Sequence, residues 1–271
     1  DGKIRVFRID ENAKRLRASA DYLKMAMPPV ELFTDMVRQV VRANERFVPP
    51  YGTGASLYIR PVLFGTGPQV GVKPASEYLL IVFVTPVGPY YKEGFNPIRV
   101  IIDRDHDRAA PLGTGHIKAG GNYGASLTSA EIGHEKGYPS VLYLDAKEKK
   151  HIDECGAANF FAIRDGRYIT PKSHSVLPSI TNMSLMTLAA EMGLQVEQRV
   201  VDYDELGTFD EAGSCGTAAV ISPIGSIYDP ENGRTFAYDG KPGPWCEKLY
   251  HKLRAIQYGE EPDTHGWMTV L

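Results

Sequence analysis

A single lysine stands in a glycine-rich stretch, GTGHIKAGGNYGASL at residues 113–127, which we call the lysine loop. Glycines let a backbone bend tightly and approach a ligand closely. The amine of Lys118 could form a Schiff base with an aldehyde if apolar surroundings lower its pKa, because only the neutral amine attacks. Ile117, Ala119 and Tyr123 are compatible with such surroundings. We therefore expect Lys118 to lie in a sheltered cleft.

The lysine loop could instead be a nucleotide-binding loop or a solvated surface loop. The GxxxxGKS or GxxxxGKT pattern of nucleotide phosphate loops is not present, and the third glycine of a dinucleotide-binding fingerprint is missing. A surface loop with a solvated lysine is the simplest alternative. The residues of the loop alone leave this alternative open.

Hydrophobic periodicity predicts the elements that position this loop. Predicted helices cover residues 12–25, a segment opened by Pro28 and Pro29, a segment ending at Gly137, and residues 181–192 and 245–258. Predicted strands cover residues 56–64, 78–84, 98–103, 141–144, 160–163, 167–170, 195–201 and 218–222. The pair Asp165-Gly166 is a two-residue hairpin signal. Short helices and hairpins without regular alternation predict an α+β fold.

Composition narrows the class of protein. The chain has 271 residues, of which 43% are hydrophobic and 23% charged, which is typical of a globular protein. A net charge of −3 predicts no binding to nucleic acid or to an anionic membrane. The histidines show no paired metal-ligand spacing, so we predict no metal. Three widely spaced cysteines favour a reducing cytoplasm.

Six sequence blocks, in order along the chain, resemble the branched-chain aminotransferases, which are fold-type-IV pyridoxal-phosphate enzymes. They are YIRP at 58–61, VGPY at 87–90, KAGGNY at 118–123, ECGAANF at 154–160, LPSIT at 177–181 and GTAA at 216–219. The resemblance implies a small N-terminal α/β domain at residues 1–86, a connector at 87–96 and a larger pseudo-barrel domain at 97–271 that binds the cofactor.

The resemblance also implies how the cofactor would be held. Lys118 would carry pyridoxal 5′-phosphate and act as the catalytic base, Tyr123 would bind its 3′-oxygen, and Glu154 would bind its ring nitrogen. Leu177 would pack against the ring. The phosphate would be bound by a helix start, a turn and an arginine from the N-terminal part: Ile180, Thr181, Thr217 and Arg15.

Substrate contacts follow from the same resemblance. The turn at Thr217 and Ala218 would bind the α-carboxylate of the amino acid. Arg60 would bind the side-chain carboxylate of glutamate, although a strand arginine can equally form a structural ion pair, and Tyr58 would supply an apolar wall. Tyr90 would cover the bound substrate.

The implied activity is reversible transfer of the amino group from leucine, isoleucine or valine to 2-oxoglutarate, in a cytoplasmic homodimer. D-amino-acid aminotransferase and aminodeoxychorismate lyase belong to the same class and share the lysine and the glutamate. A non-catalytic phosphoanion-binding relative would keep Arg15, Thr181 and Thr217 without needing Lys118. The resemblance further suggests that strands of the small domain precede the first residue of this chain.

Overall fold

The chain divides into two compact units. The computed structural model describes residues 2–88 and 94–271. The first unit is Asp1–Lys92 together with Gln257–Leu271, and the second is Glu93–Ile256. The large domain was predicted to extend from residue 97 to residue 271, whereas the second unit ends at Ile256 and residues 257–271 belong to the first unit. The last strand of the chain, Met268–Val270, pairs antiparallel with the first, Arg5–Phe7, which brings both ends of the chain into one unit.

The first unit combines two helices with a long hairpin. Its elements in chain order are β1 (Arg5–Phe7), α1 (Ile9–Tyr22), α2 (Val30–Ala43), a 3-10 turn (Glu45–Phe47), β2 (Ser56–Thr66) and β3 (Glu77–Val87). Strands β2 and β3 pair antiparallel along their whole length. Phe33, Val37 and Val41 of α2 form a small core with Ala13 of α1, and apolar residues of the hairpin pack against it.

Helix α1 begins and ends earlier than the predicted residues 12–25. Arg8 has a left-handed backbone with φ of 47°, which turns the chain directly before Ile9. Asp10 and Glu11 then lie in the first turn, where negative charge is favourable. Lys24, with φ of 57°, prevents the helix from continuing to residue 25.

The second unit is built mainly from strands. They are β4 (Ile98–Asp103), β5 (Ser140–Leu144), β6 (Ile152–Cys155), β7 (Ala158–Arg164), β8 (Arg167–Pro171), β9 (Gln195–Arg199), β10 (Glu211–Gly216), β11 (Val220–Asp229) and β12 (Arg234–Ala237). Its helices are α3 (Gly120–Ala125), α4 (Leu127–Glu135), a 3-10 helix (Tyr203–Thr208), α5 (Ile180–Glu191) and α6 (Pro244–Tyr258). The C-terminal strand β13 (Met268–Val270) returns to the first unit.

Six of these strands close into a barrel. They follow the order β10, β11, β4, β5, β6 and β7, and β7 pairs back onto β10. This closure confirms the predicted α+β fold with a pseudo-barrel. Phe160 and Phe161 of β7 and Tyr143 of β5 are fully buried. Strands covered on both sides carry continuous apolar runs rather than alternating ones, which is why β5 and β7 were predictable.

Two barrel strands were not predicted. The residues of β6 are IDEC and those of β10 are EAGSCG, so acidic and small residues replace the β-branched and aromatic residues that indicate a strand. The predicted hairpin at Asp165 and Gly166 is confirmed, with φ values of 50° and 70°. These values match the turn type that connects two-residue hairpins.

Helices α5 and α6 bury apolar side chains at helical spacing. Leu185 and Leu188 of α5 are fully buried, and this helix contacts β9 and β10. Leu249 and Leu253 of α6 are also fully buried. Among the residues that the structure describes, no helix has the length and apolar content needed to span a membrane.

Candidate active site

The lysine loop brings an amine and a phenol together. Lys118 Nζ donates a hydrogen bond to Tyr123 Oη at 2.6 Å and lies 4.9 Å from the centroid of the tyrosine ring. Tyr123 belongs to the short helix α3, which begins just after the lysine. The expectation that Lys118 lies in a sheltered cleft is wrong for this chain, since the lysine is exposed and the neighbouring Ile117 takes the buried position instead.

A buried asparagine fixes the backbone of the loop before the lysine. Asn122 accepts a hydrogen bond from Thr114 Oγ1 at 2.7 Å and donates to the carbonyl oxygens of Thr114, at 2.7 Å, and Ile117, at 3.0 Å. Gly115 packs directly on the backbone of Ser175, and a Cβ atom at Gly115 would lie 2.4 Å from the Ser175 carbonyl oxygen. Only glycine therefore allows the loop this close approach.

The predicted glutamate forms a buried ion pair. Glu154, on β6, is 2% exposed, and its Oε2 lies 2.7 Å from Nε of Arg108, which is 6% exposed. Its other oxygen, Oε1, accepts a hydrogen bond from the backbone N–H of Leu177 at 2.5 Å. Arg108 also donates to the carbonyl oxygens of Ser175 and Gly115. The arginine thus connects β6, the lysine loop and the segment before α5.

Opposing influences act on the pKa of Glu154. Burial raises the pKa of Glu154 to about 7, although Arg108 and the N–H of Leu177 both act to lower it. Asp153 raises this pKa and Lys118 lowers it. Lys118 is therefore within electrostatic range of the glutamate.

Asn159 connects the glutamate to another predicted position, Leu177. This buried residue of β7 pairs with Glu154 on β6 and with Cys215 on β10. Its side-chain amide donates to the carbonyl oxygen of Leu177 at 2.9 Å. Leu177 is consequently held at its N–H by Glu154 and at its carbonyl by Asn159.

The start of α5 presents backbone N–H groups. Ser179 precedes the helix, and its hydroxyl accepts a hydrogen bond from the N–H of Asn182 at 3.2 Å. The first N–H groups of a helix have no acceptor within the helix, so those of Ile180 and Thr181 can bind an anion. The side chain of Asn182 is bonded to Tyr168 Oη and to Thr170 Oγ1, which fixes this end of the helix to β8.

The small-residue turn lies at the end of two barrel strands. Thr217 and Ala218 are exposed and connect β10 to β11. Gly216 lies against Ala158, the first residue of β7, with only 3.7 Å between a Cβ placed at Gly216 and that of Ala158. Since Ala158 is the neighbour of Asn159, the turn, Glu154 and Leu177 are gathered at one end of the barrel.

The remaining predicted residues belong to the first unit. Arg15 lies on α1, is partly buried, and its guanidinium is 3.4 Å from Asn12 Oδ1. Tyr58 and Arg60 share one face of β2, and Arg60 donates to Tyr58 Oη at 3.1 Å. Tyr90 lies outside the described residues.

Sequence reasoning missed Arg108 and Asn159. Arg108 is one of several charged residues in a row after β4, and nothing in its neighbours marks it as buried. Asn159 stands inside the ECGAANF block, where an amide within an apolar strand could have been recognised as a group that needs a buried partner.

Comparison with known families and proteins gives a consistent result. The sequence model of the amino-transferase class IV family matches residues 1–227. The chain is 46% identical over 280 residues to the branched-chain-amino-acid aminotransferase of Haemophilus influenzae, covering 100% of this chain and 81% of that protein. It is 48% identical over 270 residues to the enzyme of the same name from Helicobacter pylori, with coverage of 98% and 78%.

Solved structures share the fold. The branched-chain amino acid aminotransferase of Escherichia coli superimposes with a TM-score of 0.85 at 30% identity, covering 97% of this chain and 84% of that chain. The enzyme of Thermobaculum terrenum in its PLP form gives a TM-score of 0.83 at 28% identity, with coverage of 99% and 84%. Both matches extend over almost the whole chain, which confirms the fold-type-IV architecture that the sequence blocks implied.

Proposed function

The chain belongs to the class IV aminotransferases, and from this premise we propose that it moves an amino group reversibly from leucine, isoleucine or valine to 2-oxoglutarate with pyridoxal 5′-phosphate as cofactor. One observation supports this most directly. A lysine amine bonded to a tyrosine hydroxyl lies within electrostatic range of a buried carboxylate, which itself contacts the segment leading into a helix N-terminus.

The residues of the second unit fit the polar groups of the proposed cofactor. Its aldehyde and 3′-oxygen need an amine and a hydroxyl, which Lys118 and Tyr123 offer as a bonded pair. Its ring nitrogen needs a carboxylate, and Glu154 is buried in the same unit. Its phosphate needs N–H donors, which the start of α5 provides. When bound, pyridoxal phosphate supplies the electron sink that delocalises charge from the substrate α-carbon.

Lys118 is the proposed catalytic residue. Its Nζ would hold the cofactor covalently, and once released by the substrate it would move a proton between the α-carbon and the cofactor C4′. Tyr123 Oη would orient the amine through the 2.6 Å hydrogen bond and would bind the 3′-oxygen. Both roles require contact geometry, which the short helix α3 supports by keeping the two side chains together.

Glu154 would keep the ring nitrogen protonated. A carboxylate accepts the N–H of a protonated ring in a charge-assisted hydrogen bond and so stabilises that form. Because an ionised carboxylate accepts at several lone pairs, the contacts of Glu154 with Arg108 and Leu177 leave capacity for a third partner. Leu177, held on both sides of its peptide group, would pack against the ring face.

The proposed phosphate site combines backbone and side-chain donors. Ile180 and Thr181 would bind the anion through their N–H groups and the positive end of the α5 dipole. Thr217 would add a hydroxyl from the β10–β11 turn. Arg15 would add a positive charge, a role that rests on resemblance to the family.

Substrate recognition is proposed for five residues. The turn at Thr217 and Ala218 would bind the α-carboxylate of the amino acid. Arg60 would bind the second carboxylate of glutamate, with Tyr58 beside it as an apolar wall; the hydrogen bond and the 5.1 Å cation–π contact between them keep the arginine on this face of β2. The role of Tyr90 as a cover over the substrate stays a prediction.

A substrate panel tests the proposed function. The purified chain is supplied with pyridoxal phosphate, and Lys118→Ala is the control. Glutamate formation from 2-oxoglutarate is measured with L-leucine, L-isoleucine, L-valine and D-alanine, and pyruvate release is measured with aminodeoxychorismate, which a lyase would cleave without forming glutamate. We expect turnover with the three L-amino acids and none in the control. Turnover of D-alanine without L-leucine would indicate a D-amino-acid aminotransferase instead. Phosphate-dependent binding without turnover of any substrate would indicate the non-catalytic relative.

The proposal extends to assembly, location and domain roles. We infer a homodimer from the family resemblance, which sedimentation equilibrium tests. Cys155, Cys215 and Cys246 are buried and unpaired in disulfides, as is usual in a reducing cytoplasm. We assign cofactor binding mainly to the barrel unit and part of the substrate binding to the N-terminal unit, with the connector predicted at residues 87–96.

A further inference from the structure

Arg108 contacts three separate parts of the second unit. Its Nε binds Glu154 Oε2 at 2.7 Å, and its Nη1 donates to the carbonyl oxygens of Ser175 and of Gly115, the latter at 3.3 Å. The backbone acceptors hold the planar guanidinium in one orientation, so that Nε faces the carboxylate. The arginine therefore fixes the direction of the glutamate as well as providing charge.

The carboxylate of Glu154 depends on this neighbour for its ionised form. Arg108 and the N–H of Leu177 bond Glu154 directly, and Asp153, Lys118 and the buried thiols of Cys155 and Cys215 lie within electrostatic range of it. Burial raises its pKa to about 7 even with Arg108 present. An opposite charge within bonding distance typically lowers the pKa of a carboxyl by roughly 1–3 units. Without the arginine, Glu154 would be mostly protonated at neutral pH.

Resting on the function proposed above, we propose that Arg108 is a positioning residue of the reaction, which favours the ionised form of Glu154 and orients its carboxylate toward the ring nitrogen of the cofactor. A neutral carboxylic acid at this place would itself be a proton donor and could not stabilise a protonated ring. The electron sink would then be weakened although every residue that touches the cofactor is still present.

A purely structural role for this ion pair is the alternative. Buried ion pairs are often no more stabilising than apolar side chains of similar size, so stability alone does not account for an arginine here. The chain contains a matched control in the pair Arg104–Asp229. Its side chains are 2.8 Å apart and 21% and 0% exposed. It lies in the same unit, and its described hydrogen bonds reach no proposed site residue.

The test compares Arg108→Met with Arg104→Met. Carbon-13 NMR of protein labelled at the glutamate side-chain carboxyls gives the titration midpoint of Glu154, assigned by its loss in Glu154→Gln. The pH dependence of kcat with L-leucine and of the visible absorption of the bound cofactor is measured on the same variants. Arg108→Met should raise the Glu154 midpoint by roughly 1–3 pH units. The acidic limb of kcat should move upward with it, while Arg104→Met should leave both unchanged.

Two further variants keep the test decisive if Arg108→Met does not fold. Arg108→Gln removes the charge but keeps hydrogen-bond donors, and it should show the same upward shift. Arg108→Lys restores a cation and should bring the midpoint back toward the wild-type value. In the Glu154→Gln background, Arg108→Met should no longer change the pH profile, because the two residues act through one carboxylate.

The outcomes separate this inference from the function on which it rests. An unshifted Glu154 midpoint in Arg108→Met or Arg108→Gln would overturn the positioning role, as would an equal shift in Arg104→Met. A wild-type protein that forms no covalent adduct at Lys118 with pyridoxal phosphate would instead contradict the proposed function. Cofactor bound at Lys118 together with a shifted Glu154 midpoint supports both.

Discussion

Replacing Gly115 by alanine should damage the active site although the new methyl group is small. A Cβ at this position would lie 2.4 Å from the carbonyl oxygen of Ser175 and 2.8 Å from the Cβ of Ala109. The first of these neighbours is backbone and cannot rotate away. The lysine loop would have to move away from the segment that precedes α5, and the bonds that Arg108 makes to both segments would be stretched.

The size of the effect follows from this overlap. Ordinary contact between non-bonded heavy atoms needs about 3.5 Å, so one of the two backbones must move by about 1 Å. Overpacking of this kind typically costs roughly 1–3 kcal/mol of folding free energy, and we expect about 2 kcal/mol here. A displacement of about 1 Å next to reacting groups can reduce a rate by roughly 100-fold. We expect a loss of that order in kcat.

Urea unfolding and transamination of L-leucine measure the two effects. Gly124→Ala is the matched control, because it lies in α3 of the same loop and a Cβ there meets no atom within 4 Å. Alanine is favoured over glycine inside a helix by about 0.5–1 kcal/mol, so this control should be neutral or slightly stabilising. Wild-type stability and turnover in Gly115→Ala would refute the argument that close backbone approach requires glycine.

Three further changes have defined outcomes. Tyr123→Phe removes the hydrogen bond that orients Lys118, and a loss of about 1.4 kcal/mol in the transition state would lower kcat by roughly tenfold. The urea midpoint should change little, because this hydrogen bond is exposed to solvent. Thr217→Ala should weaken cofactor binding by about 1.5–3 kcal/mol in equilibrium dialysis, and Thr217→Ser should restore it. Burial opposes ionisation of Asp229, but the hydrogen bonds from Arg104, from Tyr203 and from the N–H of Glu231, together with the charge of Arg104, outweigh it, so the pKa of Asp229 is lowered from its usual 3.8. The ionised carboxylate therefore adds stability above pH 3.8 that is lost as the pH falls through the lower folded-state pKa. Asp229→Asn should cost about 1–3 kcal/mol at pH 7 and remove this acid sensitivity from urea titrations; unchanged acid sensitivity in the variant would contradict it.

The local features of the site were predictable because they depend on short-range sequence. Lys118 and Tyr123 are separated by one tight loop and a single helical turn, so their proximity follows from the chain itself. The helix start at Ile180 was within one residue of the prediction, since Ser179 is a favourable N-cap. The pseudo-barrel followed from the resemblance and was confirmed by the closure of β7 onto β10.

The long-range features were not predictable, for physical reasons. Arg108 meets Glu154 only because the barrel places the chain after β4 beside β6, and neither residue has a local signal of burial. The exposure of Lys118 was also missed. Its apolar neighbours Ile117, Ala119 and Tyr123 suggested a sheltered position, but of these three only Ile117 is buried. Strand β6 lacks an apolar pattern because it carries Glu154, and β10 lacks one because it consists of small residues and Glu211, which accepts hydrogen bonds from the N–H groups at the start of α6.

Reductive trapping tests the central claim most directly. The protein is incubated with pyridoxal phosphate, reduced with borohydride, digested, and the modified peptide is identified by mass spectrometry. We predict one phosphopyridoxyl group, located on Lys118, and none on that peptide in Lys118→Ala. Modification of another lysine in its place, or an unmodified chain under conditions that trap an aminotransferase control, would contradict the assignment of Lys118 and the function built on it.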